Sequence, residues 1–252
     1  MDIERIEAFI RDCVQRSDAG GVVVGISGGV DSAVAAALCH RALGPERVLG
    51  LLMPAGVSSP ADLRDAEHLC TMLGIPRLTV SIQPVLDAFR AMPGFTPDRR
   101  LEGNLMARIR MTVLYYHANA RGRLVCGTSN KTEFMVGYGT KHGDTAADLQ
   151  PLLHLHKGEV YTCARRLGIP EAIIEKPPSA GLWPGQRDEK ELGLTYDEID
   201  AALCALEESG WVARSPTEER VRALVTAARH KQRPAPSLIP TGQTFPDSLR
   251  DR

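Results

Sequence analysis

Apolar residues recur at three- and four-residue steps through Ile3, Ile6, Phe9, Ile10, Cys13 and Val14, which predicts a first helix with one buried face that ends near Asp18-Ala-Gly-Gly21. The pattern then changes. Gly21-Val-Val-Val-Gly-Ile-Ser27 is a short β-branched run without alternation, as a strand covered on both faces requires. A helix is predicted from Val30 to about Leu43, stopped by Gly44-Pro45, and Val48-Leu-Gly-Leu-Leu-Met53 reads as a second strand. Ser58-Ser59-Pro60 supplies an N-cap and a proline at the first helical position for a helix whose stripe is Leu63, Ala66, Leu69, Cys70 and Leu73, ending at Gly74. Arg77–Ile82 predicts a third strand. The next helix, about Glu102 to Ala120, leads to a fourth strand at Leu124-Val-Cys-Gly127, and further helices are expected at about 157–168, 195–209 and 217–231. The stretch from Lys176 to Gly193, punctuated by Pro177, Pro178, Gly181, Pro184 and Gly185, predicts a long loop with no element of its own, and such loops are usually functional or mobile.

Strands alternating with helices of 10 to 15 residues give a doubly wound α/β fold, a mostly parallel sheet with helices on both faces. At 252 residues the chain is expected to form one domain, with no room for a second full catalytic module. The helix around Glu102–Ala120 is apolar around much of its circumference, through Leu105, Met106, Ile109, Met111, Val113, Leu114 and Tyr115, so a core or a partner must cover it.

Charge and composition narrow the function. Lys and Arg number 30 against 31 Asp and Glu, a net charge of −1, so no global positive field exists to hold a polyanion and nucleic-acid binding is disfavoured. With 43% hydrophobic and 24% charged residues the chain is an ordinary globular one. The six cysteines stand at least 26 residues apart with no CxxC pair, which argues against zinc knuckles and dithiol chemistry and for buried free thiols in a reducing compartment. The N-terminus lacks the apolar segment of a secretory leader, and no apolar run approaches the ~18 residues of a membrane span, so a cytoplasmic protein is expected. The glycosylation triplet Asn130-Lys131-Thr132 is then accidental. His154 and His156 alternate as on a strand face, but two histidines without a third ligand read as polar loop residues.

The most informative stretch is Gly25-Ile26-Ser27-Gly28-Gly29-Val30-Asp31-Ser32, between a buried strand and an Ala-rich helix. Adjacent glycines let backbone N–H groups converge in one concavity, and the following helix adds the positive end of its dipole. Ser27 and Ser32 add hydroxyls, and Asp31 adds a hard oxygen ligand suited to Mg²⁺ carried by a polyphosphate. No lysine follows the glycines, so this is neither GxxxxGK[ST] nor GxGxxG. A simple glycine turn would need neither the aspartate nor the two serines.

Ser27-Gly-Gly-Val-Asp-Ser32 resembles the SGGxDS signature of the pyrophosphate-loop ATPases, which adenylate a carbonyl or carboxylate oxygen and release pyrophosphate. Further stretches resemble the NAD synthetase family specifically: Gly103-Asn-Leu-Met-Ala-Arg-Ile-Arg-Met111, Gly127-Thr-Ser-Asn-Lys-Thr-Glu133, Gly137-Tyr-Gly-Thr-Lys-His-Gly-Asp144 with Asp148 and Pro151, Pro178-Ser-Ala-Gly-Leu-Trp-Pro-Gly-Gln-Arg-Asp-Glu189, and the pair His230-Lys231. The resemblance implies ATP-dependent amidation of deamido-NAD to NAD through an adenylated carboxylate, with AMP and pyrophosphate released.

It also implies roles. Asp31 and Glu133 would hold Mg²⁺, a surface salt bridge being the plain alternative for Glu133. The loop from Gly25 to Ser32, Thr128 at a predicted strand end, Lys157 and Ser179 would contact ATP. Lys157 opens a predicted helix, where a cation opposes the dipole, which suggests that it serves phosphates. Arg108, Lys141, Asp148, His230 and Lys231 would hold deamido-NAD. Arg108 and Arg110 are separated by about 200° around a helix, and the resemblance favours Arg108. Asp144 is a candidate to assist deprotonation of ammonium. Glutamine-using relatives carry an extra amidase domain that this length does not accommodate, and no cysteine comes with an ordered set of partners, so ammonia is the expected nitrogen source. The resemblance further implies a homodimer. Two other readings stand beside this one: a different pyrophosphate-loop enzyme, such as one acting on tRNA, and a nucleotide sensor without turnover, against which the carboxylates Asp31 and Glu133 argue.

Overall fold

The computed structural model describes residues 2–236 and 238. Its centre is a four-stranded, wholly parallel sheet, β1 (Val22–Gly25), β2 (Val48–Leu52), β3 (Arg77–Thr79) and β4 (Leu124–Cys126), in the spatial order β3-β2-β1-β4. The β-branched run sits in the middle because both its faces are covered. Val22 and Val24 pack with α1 (Ile3–Arg16), α2 (Val30–Leu43) and, further along the chain, α7 (Lys157–Arg166), whereas Val23 faces Leu49, Leu51, Val125 and Ala118 of α5 (Arg99–Asn119). The helices thus lie on both faces, as the alternation of strands and helices requires.

Local chemistry sets the boundaries. Asp2 caps α1, Ser59 caps α3 (Pro60–Leu73) with Pro60 in its first turn, and Gly74 closes α3 in the left-handed conformation at φ 64°. Strand β3 stops at Thr79, short of the expected Ile82, and its three residues are exposed at the sheet edge. Four short helices were not anticipated: α4 (Gln83–Arg90), α6 (Lys131–Val136), α8 (Glu171–Ile174) and α9 (Asp188–Leu192). Pro84 occupies the first turn of α4, where its missing N–H costs nothing. The stretch 176–193 therefore does contain an element, α9, at its end.

Helices α6, α9, α10 (Tyr196–Glu208) and α11 (Pro216–Gln232) form a second apolar cluster around Ile199, Leu203, Leu206 and Val221, against which the half-buried Trp211 packs. The apolar residues of α5 named above are buried or half-buried; Leu101 and Tyr116 on the same helix are exposed. His154 and His156 lie on no strand, since the chain there turns into α7 with His156 at its N-cap. Cys39, Cys70, Cys126 and Cys163 are buried free thiols and Cys13 is half-buried, but Cys204 is exposed, contrary to expectation, because its position on α10 points away from the apolar cluster. Among the described residues no helix is long and apolar enough to cross a membrane.

Candidate functional site

In open parallel sheets ligands bind beyond the carboxyl ends of the strands, at the crevice where the strand order reverses. Here β2 lies on one side of β1 and β4 on the other, so that crevice opens between β1 and β4. The loop after β1 and the start of α6 after β4 flank it.

The loop is braced from within. Ser32 donates to the Gly29 carbonyl at 2.9 Å and accepts from the Ser27 N–H at 3.2 Å, and Gly29 N–H donates to Ser27 Oγ at 3.3 Å. Ser32 is thus 4% exposed and its hydroxyl holds the loop, whereas Ser27 is exposed. Among the described residues no acceptor meets the backbone N–H groups of Val30, Asp31 and Ser32, which open α2. Gly28 stands at φ 82°, and a Cβ there would lie 2.3 Å from the Asp62 carbonyl oxygen, so the residue must be glycine for two reasons. A lysine missed in the sequence fixes this contact. Lys176 Nζ donates to the Gly28 carbonyl at 2.9 Å and to Asp62 and Asp65 at 2.7 and 2.6 Å, tying the loop to α3 and to the start of the 176–187 segment.

Across the crevice, Asp31, Glu133 and Lys157 converge. Lys157 Nζ lies 2.6 Å from Asp31 Oδ2 and 2.8 Å from Glu133 Oε1, with its side chain only 3% exposed. The helix-start lysine faces two carboxylates, which offset the unfavourable dipole. Burial works against its charge, yet Asp31 and Glu133 hold its ammonium well above the ordinary lysine range. Burial lifts the Glu133 carboxyl to about 7, against the pull of Lys157 and with a further push from Asp31. Asn130, fully buried, completes the arrangement: its Nδ2 donates to Asp31 Oδ1 at 2.8 Å while its Oδ1 caps α6 at the Glu133 N–H, 2.9 Å. Its side chain is committed, which removes the glycosylation reading. Asn130 and Tyr196, whose ring lies 4.8 Å from Lys157 Nζ, are site residues that the sequence reading passed over.

Two carboxylate oxygens that touch one ammonium also converge on a point that a cation could occupy. Hard oxygens of this kind fit Mg²⁺, which keeps few protein ligands and fills the rest with water and phosphate. Among the described residues no cluster of three or more His, Cys, Asp or Glu side chains is arranged for a metal, so the pair is suited to an ion shared with a polyphosphate rather than to a closed cage.

The other expected residues fall into a second group. Lys231 Nζ donates to the Gly137 and Gly139 carbonyls at 2.7 and 2.9 Å; Lys141 Nζ donates to the His230 and Arg233 carbonyls at 2.6 and 3.1 Å; and exposed Arg108 donates to the Lys141 carbonyl at 3.2 Å. His230 is exposed, with Nδ1 3.0 Å from the Ala227 carbonyl. Asp148 accepts from the Val125 N–H at 2.7 Å and from Tyr115 at 3.3 Å, which joins it to the edge of β4. Asp144 accepts from the Thr140 N–H at 2.8 Å, and crowding by the surrounding protein raises its carboxyl above the usual range although water reaches it. The two arginines of α5 separate as their spacing demands: Arg110 turns inward, donating to the Met53 carbonyl at the end of β2 at 3.1 Å, and burial lowers its pKa against the opposing charge of Asp144.

Thr128 is half-buried just beyond β4, and Ser179 is exposed with its Oγ accepting from the Gly181 N–H at 3.1 Å. Trp183 in the same segment lies under the Arg99 guanidinium, 5.4 Å from its ring centre. One cysteine does have neighbours of the kind found beside nucleophiles: Cys204 Sγ is 3.7 Å from His156 Nε2, whose Nδ1 is 3.6 Å from Asp200. These distances are long, and burial together with Glu207 pushes the thiol up, so it is not activated. A cavity of about 380 Å³ lined by Arg11, Gln15, Asp18 and Arg47 lies at the opposite, amino-terminal end of the strands.

Comparison with known proteins gives the family. Residues 2–235 match the family described as NAD synthase. The chain is 58% identical over 235 residues, 93% of its own length and 95% of the other, to the NH3-dependent NAD(+) synthetase of Methanoregula boonei. Among solved structures it is similar to the NMN synthetase of Francisella tularensis, with a TM-score of 0.86 and 38% identity over 93% of this chain and 96% of that one. It is also similar to the NH3-dependent NAD synthetase of Campylobacter jejuni, with a TM-score of 0.80 and 36% identity over 94% and 100%.

Proposed function

Since the chain belongs to the NAD synthase family, we propose that it amidates deamido-NAD to NAD with ATP and ammonia, through an adenylated carboxylate. The observation that carries this reading is the convergence of Asp31, Glu133 and Lys157 beside a loop whose N–H groups are free to receive phosphate. A carboxylate is a poor acyl donor because the oxygen that must leave carries too much charge. Transfer of AMP to it creates a leaving group that departs as a stabilised phosphate. The protein must therefore bring two anions together and neutralise them.

The residues divide that work. The backbone from Gly25 to Ser32 cradles polyphosphate, and Ser27 lends a hydroxyl. Thr128 and Ser179 add contacts to ATP. Asp31 and Glu133 would hold Mg²⁺, which would supply charge neutralisation to the phosphates. Lys157 would contact a phosphate oxygen of ATP. Arg108, Lys141, Asp148, His230 and Lys231 grip deamido-NAD, and Asp144 is placed to accept a proton from ammonium. The exposed Arg108 and the exposed Leu101 and Tyr116 on α5 support a homodimer in which this helix meets its counterpart. The net charge of −1 gives no global positive field to hold a nucleic acid.

The likeness to the Francisella protein adds the mononucleotide counterpart of deamido-NAD as a second possible acceptor. Purified protein incubated with MgATP, ammonium and either acceptor, and separately with glutamine as the nitrogen donor, distinguishes these readings. AMP and NAD from deamido-NAD and ammonium are expected. Turnover of the mononucleotide alone would reassign the substrate, and equal rates with glutamine would overturn the ammonia reading.

A further inference from the structure

Beyond Glu133 the buried polar network continues away from the crevice. Tyr196, 4% exposed, directs its hydroxyl at two carboxylates at once, Glu133 Oε1 at 3.2 Å and Asp188 Oδ2 at 3.1 Å. A phenol has a single proton, so only one of these can be a hydrogen bond at a time. Asp188, also 4% exposed, is the hub on the far side: its Oδ1 accepts from Tyr138 at 2.9 Å and from the Ala180 N–H at 3.0 Å. Ala180 adjoins Ser179, and Gln186 closes the same segment by accepting from the Leu182 N–H at 2.8 Å. Glu133 Oε1 is thus held by Lys157 and Tyr196 together, and the Asn130 side chain also reaches the carboxyl.

A buried carboxylate is costly unless its neighbours satisfy it, and a plain structural anchor for the 179–187 segment could be built without one. We propose that Tyr196 and Asp188 are positioning residues for Glu133: the phenol fixes the orientation of the carboxylate toward a divalent cation, and Asp188 offers the phenol proton a second acceptor when Glu133 ligates that cation. Asp188 thereby joins the state of Glu133 to the segment that carries Ser179. Hydrogen-bond partners behind a metal ligand fix its orientation in the same way elsewhere, and losing one typically costs roughly 10- to 100-fold in metal affinity.

The proposal rests on Glu133 being a cation ligand, and its test separates the two ideas. The probe is Mn²⁺ with α,β-methylene-ATP, which cannot transfer AMP, and the readout is bound Mn²⁺ by electron paramagnetic resonance. Glu133→Gln is expected to abolish tight Mn²⁺ binding; if it does not, the ligand assignment itself is wrong. With that assignment intact, Tyr196→Phe is expected to weaken Mn²⁺ binding about tenfold or more while metal-free nucleotide affinity stays within about twofold. Asp188→Asn is expected to weaken it in the wild-type background but not when Tyr196→Phe is already present, because its effect passes through the phenol. It should also speed hydrogen exchange at the Ala180 amide. Unchanged Mn²⁺ affinity in folded Tyr196→Phe, or an equal effect of Asp188→Asn in both backgrounds, would overturn the proposal. If Tyr196→Phe does not fold, Asp188→Asn alone decides, and unchanged Mn²⁺ affinity there refutes it.

Discussion

Replacing Lys157 by methionine keeps the side chain's length up to the ε-carbon and removes its charge. The ammonium is the close cation for two carboxylates, at 2.6 Å from Asp31 and 2.8 Å from Glu133, so the variant leaves two negative charges facing each other in a poorly hydrated place. Breaking a buried ion pair from one side costs about 3–5 kcal/mol. The carboxylates keep 19% and 18% exposure, and water therefore screens part of the repulsion, which sets the expectation near the lower end, about 3 kcal/mol at pH 8. The pH dependence identifies the cause. Glu133 has a folded-state pKa of about 7, above its unfolded value, so its protonated form is favoured by folding, and stability from this group is present at low pH and lost as pH rises through about 7. Without the lysine that pKa rises further. The gap between wild type and Lys157→Met must accordingly be largest at pH 8 and shrink toward pH 5, as the carboxylates take up protons. Urea denaturation of the metal-free protein at both pH values measures it. Adding Glu133→Gln to Lys157→Met should recover most of the loss at pH 8. A loss below about 1 kcal/mol at pH 8, or the same loss at both pH values, would mean that packing and not charge governs the site.

Other consequences follow from the same geometry. Gly28→Ala should raise the KM for ATP by at least tenfold, since its Cβ would collide with the Asp62 carbonyl, and steady-state kinetics with varied ATP would show it. Lys176→Met frees the Gly28 carbonyl and leaves Asp62 and Asp65 unpaired; KM for ATP should rise more than the protein loses stability, and a pure loss of thermal stability with unchanged KM would count against its role in the loop. Asp144→Asn should lower turnover most at low pH and low ammonium if the carboxylate accepts a proton from ammonium, whereas an equal loss at every pH and ammonium concentration would remove that role. Sedimentation at micromolar concentration should give a dimer, and Tyr116→Glu on the exposed side of α5 should shift it to monomer.

The parts of this account that were legible in the sequence are those written in local patterns. Gly25 to Ser32 carried its own context, a β-branched strand before it and an Ala-rich helix after it, and the structure places each within a residue or two. Short helices were less visible because so few residues cannot show a period. What could not be read was pairing across the chain. Lys157 stands 126 residues from Asp31, and Tyr196 stands 63 from Glu133, so no spacing rule announces that they meet. Asn130 was in plain view as a helix cap three residues before Glu133, a signal that the glycosylation triplet obscured. Arg110 shows the limit of helical geometry: 200° separates it from Arg108, but only packing decides which of the two turns inward.

The central claim is that the acceptor carboxylate is activated by transfer of AMP. Deamido-NAD labelled with ¹⁸O in its nicotinate carboxylate, turned over with MgATP and ammonium, tests this directly by mass spectrometry of the products. Attack of a carboxylate oxygen on the α-phosphorus releases pyrophosphate, and attack of ammonia on the carbonyl carbon then expels AMP with that oxygen attached. One ¹⁸O in each AMP, with none in pyrophosphate, is the predicted result. Label in pyrophosphate or in phosphate, or AMP formed without label, would contradict it.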